Sequence, residues 1–96
     1  MTTLLGLSAA LPLLISSTVA APEWFQNGNV RITATVIVND AEQAFDSGRE
    51  TLDKAAVGIC GDKGKPRLID GPLVIERGVT FYDETLMKLS ALYACE

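Results

Sequence analysis

From Val30 to Val38 the chain alternates almost strictly, with Val30, Ile32, Ala34, Val36 and Val38 on one face and Arg31, Thr33, Thr35 and Ile37 on the other. A period of two, built largely from β-branched residues, is the pattern of a half-buried strand. The period then changes. Ala41, Ala44, Phe45, Gly48, Leu52, Ala55, Ala56 and Ile59 recur at helical spacing, while Glu42, Asp46, Arg49, Glu50, Asp53 and Lys54 fill the opposite side. The pattern predicts an amphipathic helix with a solvated charged face. Asn39, with Glu42 three positions later, has capping-box spacing for its start. Gly61 stands where a helix ends in a residue of positive φ. Gly48 lies on the apolar stripe, where an interior glycine costs about 1 kcal/mol. It either lets the helix approach a sheet closely or breaks the helix.

Asp62-Lys63-Gly64-Lys65-Pro66 reads as a turn, and Arg67 to Arg77 as extended chain centred on Leu73-Val74-Ile75. Asp70-Gly71-Pro72 either bulges that strand or turns a small hairpin. Thr85 to Cys95 fits two periods. As a strand it places Thr85, Met87, Leu89, Ala91, Tyr93 and Cys95 on one face and Leu86, Lys88, Ser90, Leu92 and Ala94 on the other. As a helix it gathers Leu86, Leu89 and Tyr93. The strand is preferred, because a final strand running under the helix brings Cys95 to Cys60 at the helix's last turn. The expected fold is α+β: a small β-α-β-β domain with one helix packed on a three- to four-stranded sheet and one disulfide. A βαβ crossover within one sheet would be right-handed.

No charged side chain precedes Glu23. The apolar run through Leu11-Pro12-Leu13-Leu14-Ile15 gives way to Ser16-Ser17-Thr18 and closes on Val19-Ala20-Ala21-Pro22, the hydrophobic region and small-residue cleavage site of a secretory signal peptide. The expected division is a signal peptide over residues 1–20, cut after Ala20, and a single small α/β domain over 21–96. A membrane anchor is the rival, but the run falls short of the roughly 20 apolar residues a span needs and carries Gly6 and Pro12. So small a mature domain has a marginal core. Secretion places Cys60 and Cys95 in an oxidising compartment. One bond between them closes a loop of about 36 residues, worth roughly 3.8 kcal/mol in the chain-entropy model.

Composition narrows the chemistry. With 96 residues there is no room for a large cofactor fold such as a barrel of roughly 250 residues. The absence of histidine removes His-dependent triads and His metal sites, and two thiolates alone make half a zinc site. A net charge of −4 without a basic cluster argues against nucleic acid. The Gly64-Lys65-Pro66 stretch fails as a phosphate loop, because proline stands where a hydroxyl residue is needed. Asp83-Glu84, or Asp62 with Asp70, are the loop carboxylates available for acid–base work, and neighbouring acids in turns are ordinarily solvated. No Asn-x-Ser/Thr acceptor occurs. Neither an enzyme activity nor a cofactor or metal is expected.

Contact residues are better represented. Trp24 and Phe25 either anchor a partner or fold back to seal one end of the sheet, the seal being preferred because so small a domain uses most of its large apolar groups internally, and Phe81-Tyr82 pose the same choice. Ile37, Leu86 and Leu92 fall on the outward sheet face, where they would form an apolar strip bordered by Thr33, Thr35, Lys88 and Ser90. Trp24, Phe25, Ile37, Leu86 and Leu92 are therefore the candidate partner contacts.

The leader Leu11-Pro12-Leu13-Leu14-Ile15-Ser16 through Ala20-Ala21-Pro22, followed by a short cysteine-paired domain, resembles small secreted proteins of filamentous fungi. Some of these are effectors acting on a host and some are similar to α/β killer toxins. The resemblance covers leader and format and transfers no site residue. It implies a secreted, extracellular, non-enzymatic interaction protein, effector-like or toxin-like, that binds a protein or cell-surface macromolecule of a host or competitor without a stable membrane anchor. The alternative is a secreted peptidase inhibitor or chaperone-like partner, since a small sheet can present an edge strand to a cleft.

Overall fold

The alternating segment forms a strand over Val30–Val38, and all five of its even-numbered residues, Val30 to Val38, are fully buried. This and the following description come from a computed structural model, which describes residues 14–96. In chain order the strands are β1 (Leu14–Val19), β2 (Glu23–Trp24), β3 (Val30–Val38), β4 (Pro66–Val79) and β5 (Thr85–Cys95), with one α-helix, α1 (Ala44–Cys60), between β3 and β4. They make one antiparallel sheet in the order β1-β3-β5-β4, and β2 also pairs with β3. β3 and β4 run parallel with β5 between them, so β3-α1-β4 is a split β-α-β unit. The fold is the expected α+β arrangement of one helix on a sheet, with five strands in place of three or four.

The additional strands come from residues ahead of β3. Leu14–Val19 pairs antiparallel with β3 from Val38 to Ala34, and Glu23–Trp24 pairs with Arg31 and Val30 further along the same edge. β1 thus lies inside the stretch read as a leader, whose earlier part, through Leu13, falls outside the described residues.

The choice of period at Thr85–Cys95 is settled by its partners. β5 pairs with β3 along its length, from Thr85 opposite Val38 to Tyr93 opposite Val30, and with β4 on its other side. Met87, Leu89, Ala91 and Tyr93 are buried beneath α1. The helix meets them with a strict i+4 row: Ala44, Gly48, Leu52, Ala56 and Cys60. Phe45, expected in this stripe, is exposed instead, and Ala55 and Ile59 pack at its margin. Tyr93 Oη donates to Asp53 Oδ1 at 2.9 Å and ties the sheet to the helix flank. Burial, reinforced by that bond, holds the phenol in its protonated form well above its ordinary range.

The helix begins one residue later than capping-box spacing suggests. Asp40, not Asn39, is the cap: its Oδ1 accepts from Glu42 N at 3.0 Å and starts a short 3-10 turn, Ala41–Gln43, that leads into α1. At the other end Gly61 has φ 51° and its N–H reaches the Val57 carbonyl, as a terminating glycine should. Of the two readings of Gly48, close approach is the correct one. A Cβ there would overlap Leu89 Cδ1, and α1 runs through it unbroken. Gly58, by contrast, faces open space. Gly58→Ala is therefore expected to stabilise by up to about 1 kcal/mol through helix propensity. Gly48→Ala should lose up to about 2 kcal/mol net, because overpacking a close contact costs roughly 1–3 kcal/mol and the helix-propensity gain of about 1 kcal/mol offsets only part of it. Urea unfolding of both variants checks the opposite signs.

β4 is one long bulged strand, not a hairpin: its register against β5 shifts between Leu68 and Asp70, between Asp70 and Leu73, and between Val74 and Glu76. Gly71, at φ 97°, sits so close to Ser90 O and Ala91 Cα that only glycine fits the second of these shifts. The Cys60–Cys95 disulfide, with Cα atoms 5.5 Å apart, joins the last turn of α1 to the end of β5. Beside it Arg67 Nε and Nη2 both reach Glu96 Oε2 at 2.7 Å, and the hydrogen bond holds that carboxyl below the usual carboxylate range.

Candidate interaction surface

α1 covers one face of the sheet and leaves the other face open among the described residues. The register sets that open face in rows. Ile37 stands directly opposite Leu86, Thr35 opposite Lys88, Thr33 opposite Ser90 and Arg31 opposite Leu92. The expected strip of Ile37, Leu86 and Leu92 is therefore divided. Ile37 and Leu86 form one half-buried pair at the β3 C-terminal end, and Leu92 lies six residues from Leu86, about 20 Å along the strand. The two intervening rows are polar. Lys88 Nζ lies 3.5 Å from Glu76 Oε1, and Arg31 Nη1 donates to Ser90 Oγ at 3.4 Å.

Trp24 and Phe25 are consecutive and turn to opposite sides. Trp24 pairs with Val30, and Lys63 Nζ stands 4.5 Å from its ring centroid. Phe25 lies under the Arg31 guanidinium at 6.0 Å and lines a shallow depression with Leu92, Asn27 and Asn29. Both residues are partly exposed, Trp24 at 40% and Phe25 at 39%. Each aromatic thus carries a cation near its ring and stays partly exposed, an arrangement between the two expected extremes.

The strongest exposed apolar feature lies elsewhere. Leu73, Ile75 and Val79 along β4 are more than half exposed, and Phe81 and Tyr82, in the turn between β4 and β5, are 96% and 78% exposed. The turn that carries them is organised by one side chain. Thr80 Oγ1 accepts from Tyr82 N at 3.2 Å and Glu84 N at 3.1 Å, and donates to Glu84 Oε1 at 2.9 Å. The backbone closes with Thr80 N to Glu84 O at 2.8 Å and Asp83 N to Thr80 O at 3.0 Å. Asp83 takes φ 68°, which aspartate tolerates in turns better than most residues. Phe81 and Tyr82 meet edge to face, with centroids 5.7 Å apart. The result is a braced tip presenting two aromatic rings to solvent.

For Phe81 and Tyr82 the sequence poses the choice between anchor and seal under the same preference for a seal, and their exposure overturns the seal. The signal that could have decided is the run Thr80-Phe81-Tyr82-Asp83-Glu84, in which a hydroxyl residue and an αL-tolerant acid bracket the aromatics as turn residues do. Of the loop carboxylates, Glu84 is held by Thr80 and Asp70 lies on β4 opposite Leu92. No group of three or more Cys, Asp or Glu side chains among the described residues is placed to hold a metal ion. No helix among them is long and apolar enough to cross a membrane. No family model, curated protein or solved structure matches the chain.

Proposed function

We propose that the chain is a secreted, non-enzymatic interaction protein, effector-like or toxin-like, that docks on a protein of a host or competitor through the aromatic tip between β4 and β5. The observation that carries this reading is Phe81, 96% exposed on a turn held by Thr80. A large apolar ring kept in water has no stabilising role in the domain, whereas a preorganised aromatic loses little entropy when it enters a partner's pocket. Val79 continues the patch, and Ile37 with Leu86 lies in the adjoining rows at the same end of the sheet. Phe25 and Leu92, which line one depression, form a second, weaker contact region at the opposite end of that face, while Trp24 lies on the other side against Lys63. The uncharged leader supports secretion, with cleavage after Ala20. That bond lies in the exposed connection between β1 and β2.

Phe81→Ser and Tyr82→Ser should leave the melting temperature unchanged, because exposed positions change stability by no more than about 0.5 kcal/mol. Both should abolish the specific band in pull-downs from host or competitor extracts. Retention of that band by the double variant would refute the tip as the contact. The alternative, a peptidase inhibitor or chaperone-like partner, draws on the exposed β4 edge, which a cleft could take as an added strand. It predicts saturable inhibition in a peptidase panel, insensitive to Phe81→Ser and lost on β4 substitution.

A further inference from the structure

We infer that the edge of β3 from Thr33 to Ile37 is a strand acceptor. After removal of residues 1–20 it takes an extended, uncharged segment of a partner polypeptide in the place that β1 holds here. The inference rests on the proposed cleavage after Ala20.

β1 and β2 occupy successive stretches of one edge of β3, β1 opposite Ala34–Val38 and β2 opposite Val30–Arg31. The cut falls between them. β2 stays covalently attached through the turn in which Phe25 N donates to Asn29 O at 2.9 Å and Gly28 N to Phe25 O at 3.0 Å. β1 does not. The ladder identifies what its loss uncovers. Ala20 N donates to Thr33 O at 3.0 Å. In an antiparallel pair hydrogen-bonded and non-bonded positions alternate. Thr33, Thr35 and Ile37 therefore aim their backbone N–H and C=O groups at this edge, and Ala34 and Val36 aim theirs at β5. Three consecutive donor–acceptor positions, on a strand held straight by β5, become free together. This is the geometry of β-strand addition.

The seat also defines its guest. Ser17, Thr18 and Val19 are exposed even when paired, so the main chain supplies the recognition and the sequence requirement is loose. On the helix side Ser17 and Val19 border an open cleft with Ser47, Thr51 and Ala55, rimmed by the Glu50–Lys54 pair. Small or β-branched uncharged residues suit those positions. A second copy of β3 fits less well, because β2 closes the Val30 end and leaves room for only part of a nine-residue strand.

The test begins with the full-length chain expressed in a secreting host and harvested from the medium, its N-terminus sequenced. Met1 at the terminus overturns the cleavage reading and this inference with it. With Ala21 at the terminus, a peptide of residues 14–20 carrying a solubilising lysine tail is titrated in by NMR. Expected are saturable shifts on β3 and slowing of amide exchange at Thr35 and Ile37 by about tenfold or more. Thr35→Pro removes a donor aimed away from β5, which an edge strand tolerates, and should weaken peptide binding at least about tenfold without changing the melting temperature. A peptide with Thr18→Pro, which leaves the protein untouched, should lose binding equally. A mature chain that leaves Thr35 and Ile37 amides unaffected at saturating peptide overturns the inference alone. So does a stable dimer that Thr35→Pro converts to monomer, since the edge would then belong to a second copy.

Discussion

Leu89→Asp is expected to unfold the protein at ambient temperature. Leu89 is fully buried at the centre of β5, opposite Ala34 on one side and Val74 on the other, and its side chain fills the space left by Gly48. An aspartate there meets no cation. The buried charge, the lost apolar contacts and the void beside Gly48 together cost several kcal/mol, against a total stability of roughly 5–15 kcal/mol for a small domain. Lys88→Asp is the matched control. Lys88 faces the open side and is paired with the exposed Glu76, so its reversal should cost no more than about 1 kcal/mol. Leu86→Asp separates strand from helix: half-buried beside Ile37 on the open face, Leu86 should suffer far less than Leu89. Thermal melts followed by circular dichroism check all three, and equal damage at 86 and 89 would refute the two-sided strand.

The second large effect belongs to the disulfide. Cys60→Ala with Cys95→Ala should lower stability by roughly 3.8 kcal/mol, the loop-closure value for about 36 residues. For a domain of this size each kcal/mol moves the midpoint by roughly 4–8 °C, so the melting temperature should fall by about 15–30 °C. The bond joins the last turn of α1 to the last residue of β5. It closes the end of the helix–sheet layer farthest from the Ala44 end. The wild-type protein should show no titratable thiol without denaturant and reductant, and two after both. Thiol titration with a calorimetric scan of the double variant tests both statements.

How far these properties could be read in advance follows from how locally each is determined. β3 was legible because one face is buried and the other is not, which writes a period of two into nine residues. That α1 is an amphipathic helix was legible for the same reason, and Gly61 because a positive φ has few acceptable residues. Phe45 is misplaced because spacing alone does not fix how wide the stripe is: the true buried row is one residue wide, set by close contact at Gly48. Asp40 displaced Asn39 as cap because both can accept the same kind of bond, and only the path of the chain leaving β3 selects between them.

The open face shows the same limit. That Ile37, Leu86 and Leu92 point outward follows from alternation alone, but whether they form one patch depends on the β3–β5 register. Register is a relation between segments about fifty residues apart, and no single segment carries it. The aromatic tip was hidden differently: exposure is the absence of a covering element, which local pattern cannot report.

The sequence by itself determined the alternation of β3, the amphipathic helix, the glycine at its end and the single possible cysteine pairing, because each depends on residues near in the chain or on count alone. The tertiary structure alone decided that Thr85–Cys95, preferred as a strand from the sequence, lies between β3 and β4 and that Asp70-Gly71-Pro72 is a bulge. It also decided that Leu14–Val19 lies along the β3 edge and that Phe81 and Tyr82 stand in solvent. These are outcomes of which surfaces meet. Hydrogen-bond ladders and burial are satisfied between distant segments, and the free energy that selects them exists only once those segments are together.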